Sequence, residues 1–342
     1  MVRILLRPLS AIYGLIMSIR NWLYDRGLWR SESLSVPVVS VGNLTLGGTG
    51  KTPIICELLR WATENRLSAA VISRGYKGQF ESSVARVPVG ADPGTFGDEP
   101  AMIADRFRNT PVYVGRDRVK VARQLLAENP NVKVIFADDA FQHRRLRRDV
   151  DIVVVDCMEP IENYTVIPAG RGREAARCMR RADCIVLNKV NLVSPERKQT
   201  VIEFIDETIG EREIPVIESE YYVRELIRLD GHETVEPREF ETVTLVSGIG
   251  NPRAFETLIA KNFDVKKHFV FRDHHKYSRG EIQRVVALSR GCKAKRILTT
   301  EKDAVKLRPL THESDFFWQA ELRPKLSLRV KWLYEKILSC VH

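Results

Sequence analysis

Residues 36–64 place a β-branched apolar run, VPVVSVGN, before a glycine-rich turn and a segment with helical spacing, PIICELLRWATE. No other feature constrains the fold as strongly. A strand that ends in such a turn and feeds a helix is the context of a phosphate-binding loop. Ile54, Leu58, Leu59 and Ala62 fall on one face of the predicted helix. The same style recurs at AAVISRG (69–75), NVKVIFADD (131–139), VDIVVVD (150–156), CIVLNKV (184–190), TVTLVSGIG (242–250) and KRILTTEKDA (295–304). Nearly continuous apolar strands alternating with helices predict an α/β protein whose mostly parallel sheet is buried on both faces. Ligands on such sheets gather at the carboxyl ends of the strands.

The loop GNLTLGGTGKTP (42–53) carries the strongest chemical signal. Gly47, Gly48 and Gly50 let backbone N–H groups turn inward around phosphate oxygens, with Thr45, Leu46 and Thr49 completing the cradle. Lys51 supplies a point charge to the β- and γ-phosphates, and the Thr52 hydroxyl suits Mg²⁺. Pro53 fits the first helical turn, where a missing N–H is harmless. The strict pattern G-x-x-x-x-G-K-[ST] fails only at its first position, Thr45.

A phosphate-loop enzyme also needs carboxylates for metal and base. Asp138 and Asp139 end an apolar strand, and Gln142 and His143 follow closely. FGDEP (96–100) offers Asp98 and Glu99 in a predicted loop. RDHHKYS (272–278) sets Asp273 before His274 and His275. Neighbouring histidines on an extended segment point apart, so a single histidine oriented by a carboxylate, suited to proton transfer, is the better reading than a two-histidine metal site.

The formal net charge of +10 implies an anionic partner. It concentrates at Arg144, Arg145, Arg147 and Arg148, and again at Arg171, Arg173, Arg177, Arg180 and Arg181. The plainer reading of either cluster is a solvated face. No RNA- or DNA-binding fingerprint accompanies them, so nucleic acid ranks behind a phosphorylated substrate or lipid. The six cysteines form no C-x-x-C pair, which argues against zinc, redox and disulfide frameworks.

Residues 4–19 (ILLRPLSAIYGLIMSI) are mostly apolar, with Arg7 inside the run and Arg3, Arg20, Arg26 and Arg30 around it. The run is short for a spanning helix and lacks a cleavage site. With Tyr13, Trp22 and Tyr24 at headgroup depth it predicts an interfacial helix, apolar side in lipid and arginines on phosphates. The competing reading is a helix packed on the protein's own core. A more polar stretch, 191–240, suggests a division into residues 1–30 (membrane-associated helix), 31–190 (phosphate-loop core) and 191–342 (a smaller C-terminal lobe).

Taken in order, the motifs VPVVSVGNLTLGGTGKTP, SRGYKG (73–78), GDEP (97–100), DDAFQHRRLRRDVDIVVVD (138–156), PAGRGRE (168–174), SGIGNPRAF (247–255), DHHKYS (273–278) and TTEKDAVKL (299–307) resemble the tetraacyldisaccharide 4'-kinase family, the lipid A 4'-kinases of Gram-negative bacteria. The resemblance covers nearly the whole chain. It implies a P-loop NTPase-like kinase using ATP and Mg²⁺ on the 4'-hydroxyl of a lipid A disaccharide precursor. The enzyme would sit on the phospholipid surface at the cytoplasmic face of the inner membrane, peripheral or monotopic, and no protein partner is implied. By motif, Asp98 would be the general base, helped by His274. Lys51, Thr52 and the rest of residues 45–52 would hold phosphates. Thr52, Asp138 and Glu174 would serve Mg²⁺. Glu99, Arg118, Asp139, His143 and Arg173 would contact substrate or transition state. Two positions depart from the family pattern: Ala140 replaces the glycine of DDGFQH, and Gly172-Arg173-Glu174-Ala175 replaces LREP, losing its proline.

A nucleotide-dependent switch or metallochaperone-type GTPase is the reading from another class. NKVN (188–191) resembles the guanine-reading N-K-x-D, but Asn191 replaces the aspartate whose carboxylate would accept from the base.

Overall fold

A computed structural model of the chain describes residues 5–75, 83–231, 233–237, 241–311 and 316–341. Residues 76–78 of the SRGYKG motif lie outside them. The strands are β1 (Val38–Gly42), β2 (Ala69–Ser73), β3 (Ala85–Arg86), β4 (Val112–Val114), β5 (Val134–Asp138), β6 (Val150–Asp156), β7 (Cys184–Asn188), β8 (Val216–Arg228), β9 (Thr234–Val235), β10 (Glu241–Ser247), β11 (Phe263–Val270), β12 (Arg296–Thr300) and β13 (Phe317–Leu326). The helices are α1 (Arg7–Asp25), α2 (Lys51–Glu64), α3 (Pro93–Phe96), α4 (Asp98–Arg106), α5 (Arg118–Glu128), α6 (Pro195–Ile209), α7 (Pro252–Ile259), α8 (Arg279–Gly291), α9 (Glu301–Leu307) and α10 (Val330–Val341).

One sheet runs β11-β10-β12-β13-β8-β7-β6-β1-β5-β2-β4-β3, with β9 paired beside β8. Every residue of β1, β5, β6 and β7 is buried, which is why these strands read as apolar runs without alternation. The long strands β8 and β13 decide the shape. Residues 216–219 of β8 run parallel to β7, and residues 219–228 run antiparallel to β13. The start of β13 in turn runs parallel to β12. The two parallel groups, β1, β2 and β4–β7 on one side and β10–β12 on the other, therefore run toward each other, and their carboxyl ends face one cleft, while the short edge strand β3 is antiparallel to β4.

The expected boundary near residue 190 falls between β7 and β8. The last helix does not respect it. Leu333 and Ile337 of α10 are buried in the core around β1 and α2, and Tyr334 stacks on Trp61 with ring centroids 4.5 Å apart.

Helix α1 turns its polar side inward. Ser10 and Asn21 are buried, while Leu9, Ile12, Ile16, Ile19 and Trp22 are at least half exposed. Ser10 Oγ accepts from the N–H of Ala169 (2.8 Å), and the Tyr13 hydroxyl donates to Arg173 O (3.3 Å). Two expectations about the arginines need correction. Arg20 does not reach outward to lipid phosphates; it donates to Gln142 O at 2.6 Å. Arg144, Arg145 and Arg148 do not form an anion-binding cluster, because they pair internally with Asp25, with Glu32 and Asp117, and with Asp151. A charge run in sequence becomes a set of cross-links because Arg144, Arg145 and Arg148 each find carboxylates of their own.

Candidate active site

The cleft between the two parallel groups has a volume of about 910 Å³. Its floor is the loop that follows β1. Gly50 has φ of +88° and caps α2; a Cβ there would lie 2.3 Å from Asn188 Nδ2. Only glycine fits that position. Asn188 donates to Thr49 O at 2.8 Å, and Asn43 braces the loop from below by donating to Thr45 O at 2.7 Å. Leu46 through Thr52 line the cleft. Thr45 does not: it is buried and forms an antiparallel bridge with Gly172, so its place in the cradle is corrected to the loop's foundation.

Lys51 reaches across the loop, its Nζ 3.1 Å from Asn43 Oδ1 and 3.4 Å from Asp139 Oδ1. Asp139 adopts φ of +50° directly after β5 and receives Arg173 Nη1 at 2.6 Å. Burial alone would push its carboxyl up, but Lys51, Arg173 and Arg118 together hold it well below the usual carboxylate range. Asp138 behaves in the opposite way. Its Oδ2 accepts from Ser73 Oγ at 2.9 Å, and its Oδ1 is buried with no hydrogen-bond partner among the described residues. Burial first, then the charges of Glu99 and Asp139, push this carboxyl up to about 7. Adjacent carboxylates thus sit in contrasting states, one paired directly with cations and one that, among the described residues, has no cation within 4.0 Å and feels Lys51 only at longer range.

Asp98 is not in a loop, as GDEP suggested. It opens α4, because Pro100 is tolerated in the first turn of a helix and Gly97, at φ +94°, supplies the entry. The helix N-terminus favours an anionic side chain there. His274 Nδ1 lies 2.8 Å from Asp98 Oδ2, and Lys306 Nζ lies 2.6 Å from the same oxygen. Burial pushes the Asp98 carboxyl up, but the His274 hydrogen bond and the Lys306 and Lys302 charges prevail, so the net shift is downward. His274 holds φ of +62°, fixed by its N–H to Gly248 O at 3.1 Å. Asp273 does not orient the ring by a hydrogen bond; its Oδ2 stays 3.8 Å from Nε2. His275 turns away to Glu281.

The other predicted residues divide. Glu99, Arg118, His143 and Arg173 line the cleft. His143 Nε2 is buried without a hydrogen-bond partner, and burial, then the Arg118 charge, drives its imidazole down to about 4. It is a neutral ring at pH 7. Glu174 is the correction. It is fully buried outside the cleft lining, with Oε1 3.4 Å from Arg20 and Oε2 2.7 Å from Arg181. Two arginines occupy the carboxylate, so it is not placed to take a metal. Neither departure from the family pattern disturbs the backbone. Ala140 is buried among apolar side chains and does not have positive φ, and Ala175 holds φ of −61°, an angle proline also adopts.

Sequence reasoning missed Lys302 and Lys306. They stand one helical turn apart on α9: Lys306 reaches Asp98, and Lys302 Nζ is 3.4 Å from Asp273 Oδ1 and 4.0 Å from Glu99 Oε1. Their spacing of four within TTEKDAVKL was the available signal.

Residues 2–340 match the family model described as tetraacyldisaccharide-1-P 4'-kinase. A tetraacyldisaccharide 4'-kinase from Bdellovibrio bacteriovorus is 35% identical over 340 residues, covering 98% of each chain. One from Chlorobaculum tepidum is 39% identical over 312 residues, 88% of this chain and 85% of the other. The solved structure of LpxK from Aquifex aeolicus, in complex with ATP, superposes with a TM-score of 0.74 at 27% identity and covers 100% of both chains.

Proposed function

The chain belongs to the tetraacyldisaccharide-1-P 4'-kinase family, and on that premise we propose how its cleft transfers the γ-phosphate of ATP to the 4'-hydroxyl of the lipid A disaccharide precursor. The enzyme is an ATP-dependent kinase. The observation that carries the reading of the site is Asp98. Its Oδ2 is held by His274 and Lys306, and among the described residues no hydrogen bond reaches Oδ1, in a cleft whose floor is the phosphate loop.

Phosphoryl transfer asks a protein mainly for positioning and for charge aimed at the transferred group. The N–H groups of residues 47–50 and the Lys51 ammonium meet the phosphates, while the Leu46 N–H is spent on Arg171 O (2.8 Å). Arg118 and Arg173 supply further positive charge beside them. Asp98 Oδ1 takes the proton of the acceptor hydroxyl, and His274 fixes the carboxylate through Oδ2. The neutral His143 ring, its Nε2 unpartnered, offers a hydrogen bond to substrate rather than a charge.

The residues fit magnesium. Asp138 Oδ1 is an orphaned buried oxygen whose proton affinity is raised where a cation's charge is missing, and Thr52 adds a hydroxyl. Among the described residues no group of three or more acidic, histidine or cysteine side chains is gathered for a metal. One or two protein oxygens completed by phosphates and water is the manner in which Mg²⁺ is ordinarily held. Its charge would offset that of the phosphates.

The lipid acceptor accounts for α1. Its apolar side faces outward, while Tyr13, Met17 and Arg20 on other sides form part of the cleft wall. Among the described residues no helix is long and apolar enough to cross a membrane. We therefore read α1 as lying in the lipid surface at the cytoplasmic face of the inner membrane, so that an acylated sugar passes from lipid to cleft along one helix. The GTPase reading loses its base-reading residue. The Asn191 side chain is engaged by the backbone of Tyr221, donating to its O at 2.8 Å and accepting from its N–H at 3.0 Å.

The test is transfer of labelled γ-phosphate to tetraacyldisaccharide 1-phosphate in detergent micelles, with ATP and GTP compared. Transfer from ATP, lost in a folded Lys51→Ala protein, is expected. Undiminished transfer in that variant would remove the phosphate loop from the mechanism.

A further inference from the structure

Helices α4 and α9 come from opposite sides of the β8–β13 ribbon and lie antiparallel against each other. Ion pairs join them at both ends. At one end, Arg106 Nη1 of α4 is 2.6 Å from Glu301 Oε2 of α9, with Glu321 of β13 on the same guanidinium. At the other end, Asp98 of α4 meets Lys306 of α9. The second pair is the unusual one. Its ammonium is largely buried, and among the described residues Asp98 is the only carboxylate within 4.0 Å of it. It approaches Oδ2, the oxygen that His274 already engages, and leaves Oδ1 to the cleft.

We propose that Lys306 is a positioning residue for phosphoryl transfer: together with His274 it fixes Oδ2 of Asp98, so that Oδ1 is the oxygen presented to the acceptor hydroxyl. The inference rests on Asp98 being the base. An imidazole and an ammonium on one oxygen leave the carboxylate little freedom to rotate, whereas a lone imidazole would allow Oδ1 and Oδ2 to exchange. The ammonium also keeps Asp98 ionised. The groups around that carboxyl are the His274 imidazole, the Lys302 and Lys306 ammoniums, the carboxylates of Glu99 and Asp273, and the neutral Tyr277. Removing one cation eases protonation of Asp98, so the acid limb of activity moves to higher pH.

The experiment measures kcat and both KM values across the acid limb for Lys306→Met, Lys306→Gln, Lys306→Arg, Glu301→Gln and Asp98→Asn. In the two neutral Lys306 variants, kcat is expected to fall by roughly 10-fold or more, a share of the 10²–10⁴ that general-base help supplies. Both KM values should stay within about a factor of two, as for an interaction expressed in the transition state. The acid limb should shift upward in both. Lys306→Arg should restore the limb. Glu301→Gln loosens the other end of the same helix pair, and its limb should stay at the wild-type position. A shared shift in Glu301→Gln, or loss of fold in both neutral Lys306 variants, would make Lys306 a structural clasp and overturn the proposal. So would wild-type kcat and limb in the neutral variants while Asp98→Asn is inactive. Full turnover in Asp98→Asn would instead remove the base assignment, and this inference with it.

Discussion

Glu174 Oε1 lies 3.4 Å from Arg20 Nη2, and this contact ties the loop before residue 176 to the first helix. With Arg181 on its other oxygen, Glu174 is a buried carboxylate between two guanidiniums. Arg20 also lines the cleft, so the pair sets one of its walls. Removing one partner of a buried pair costs about 3–5 kcal/mol, because the remaining charge stays buried and uncompensated.

Glu174→Gln should therefore lower the melting temperature markedly and weaken the seating of α1. The Mg²⁺ concentration that gives half-maximal activity should stay near the wild-type value. Thermal unfolding and a Mg²⁺ titration decide the matter. An unchanged melting temperature with a raised Mg²⁺ requirement would return Glu174 to the metal set.

The contact between Asp98 and His274 makes a second forecast. A sugar hydroxyl is a poor nucleophile at neutral pH, so base removal should show in kcat. Asp98→Asn and His274→Ala should each lower kcat by about 10²–10⁴ with little change in KM for ATP. Residues that act as a unit are not additive, so the double variant should be little worse than either single one. Independent multiplication of the two losses in the measured cycle would separate the residues.

The outward face of α1 supplies the third. Deleting residues 1–24 would also remove Tyr13, Met17 and Arg20 from the cleft and would not isolate the membrane contact. Ile12→Glu with Ile16→Glu places two charges on exposed apolar positions and leaves the buried side intact. Binding to phospholipid vesicles should weaken, and KM for the micellar acceptor should rise more than kcat falls, because interfacial binding follows the buried apolar area. Vesicle binding equal to wild type would place the anchor elsewhere.

Much of this was legible in the sequence because it depended on local order. Strand, glycine-rich turn and helix identify the phosphate loop wherever the rest of the chain goes, and β6 was read with its actual bounds. What stayed hidden depended on distance. Nothing near Glu174 in sequence reports that Arg20, 154 residues away, would occupy it. Lys306 reads as a solvated helix position until β8 and β13 turn the C-terminal group to face Asp98. Thr45 carries a loop residue's chemistry, but its bridge to Gly172 takes it out of the cleft. The arginine run at 144–148 failed as an anion site for the same reason, since Asp25, Glu32 and Asp117 come from three separate segments.

Asp138 yields the last prediction, in which stability and activity should move in opposite directions. Burial, reinforced by Glu99 and Asp139, pushes its carboxyl up to about 7, against an ordinary aspartate value of 3.8. Between those two values the folded protein holds a proton that the unfolded chain has released. Stability contributed by this group is therefore present at low pH and declines as pH rises toward 7. Above that, the fold carries a buried carboxylate with no cation on Oδ1. Asp138→Asn is neutral and nearly the same shape. Without metal it should melt higher than wild type at pH 8, and the gap should close as the pH falls toward the ordinary carboxylate range. Mg²⁺ with nucleotide should reverse the order, because only the carboxylate gains a cation. Phosphate transfer should fall in the variant at every pH. Melting curves at two pH values, with and without Mg²⁺ and nucleotide, test all of this. A variant that melts lower than wild type without metal at pH 8 would show that Asp138 is held by the fold itself and not kept for an ion.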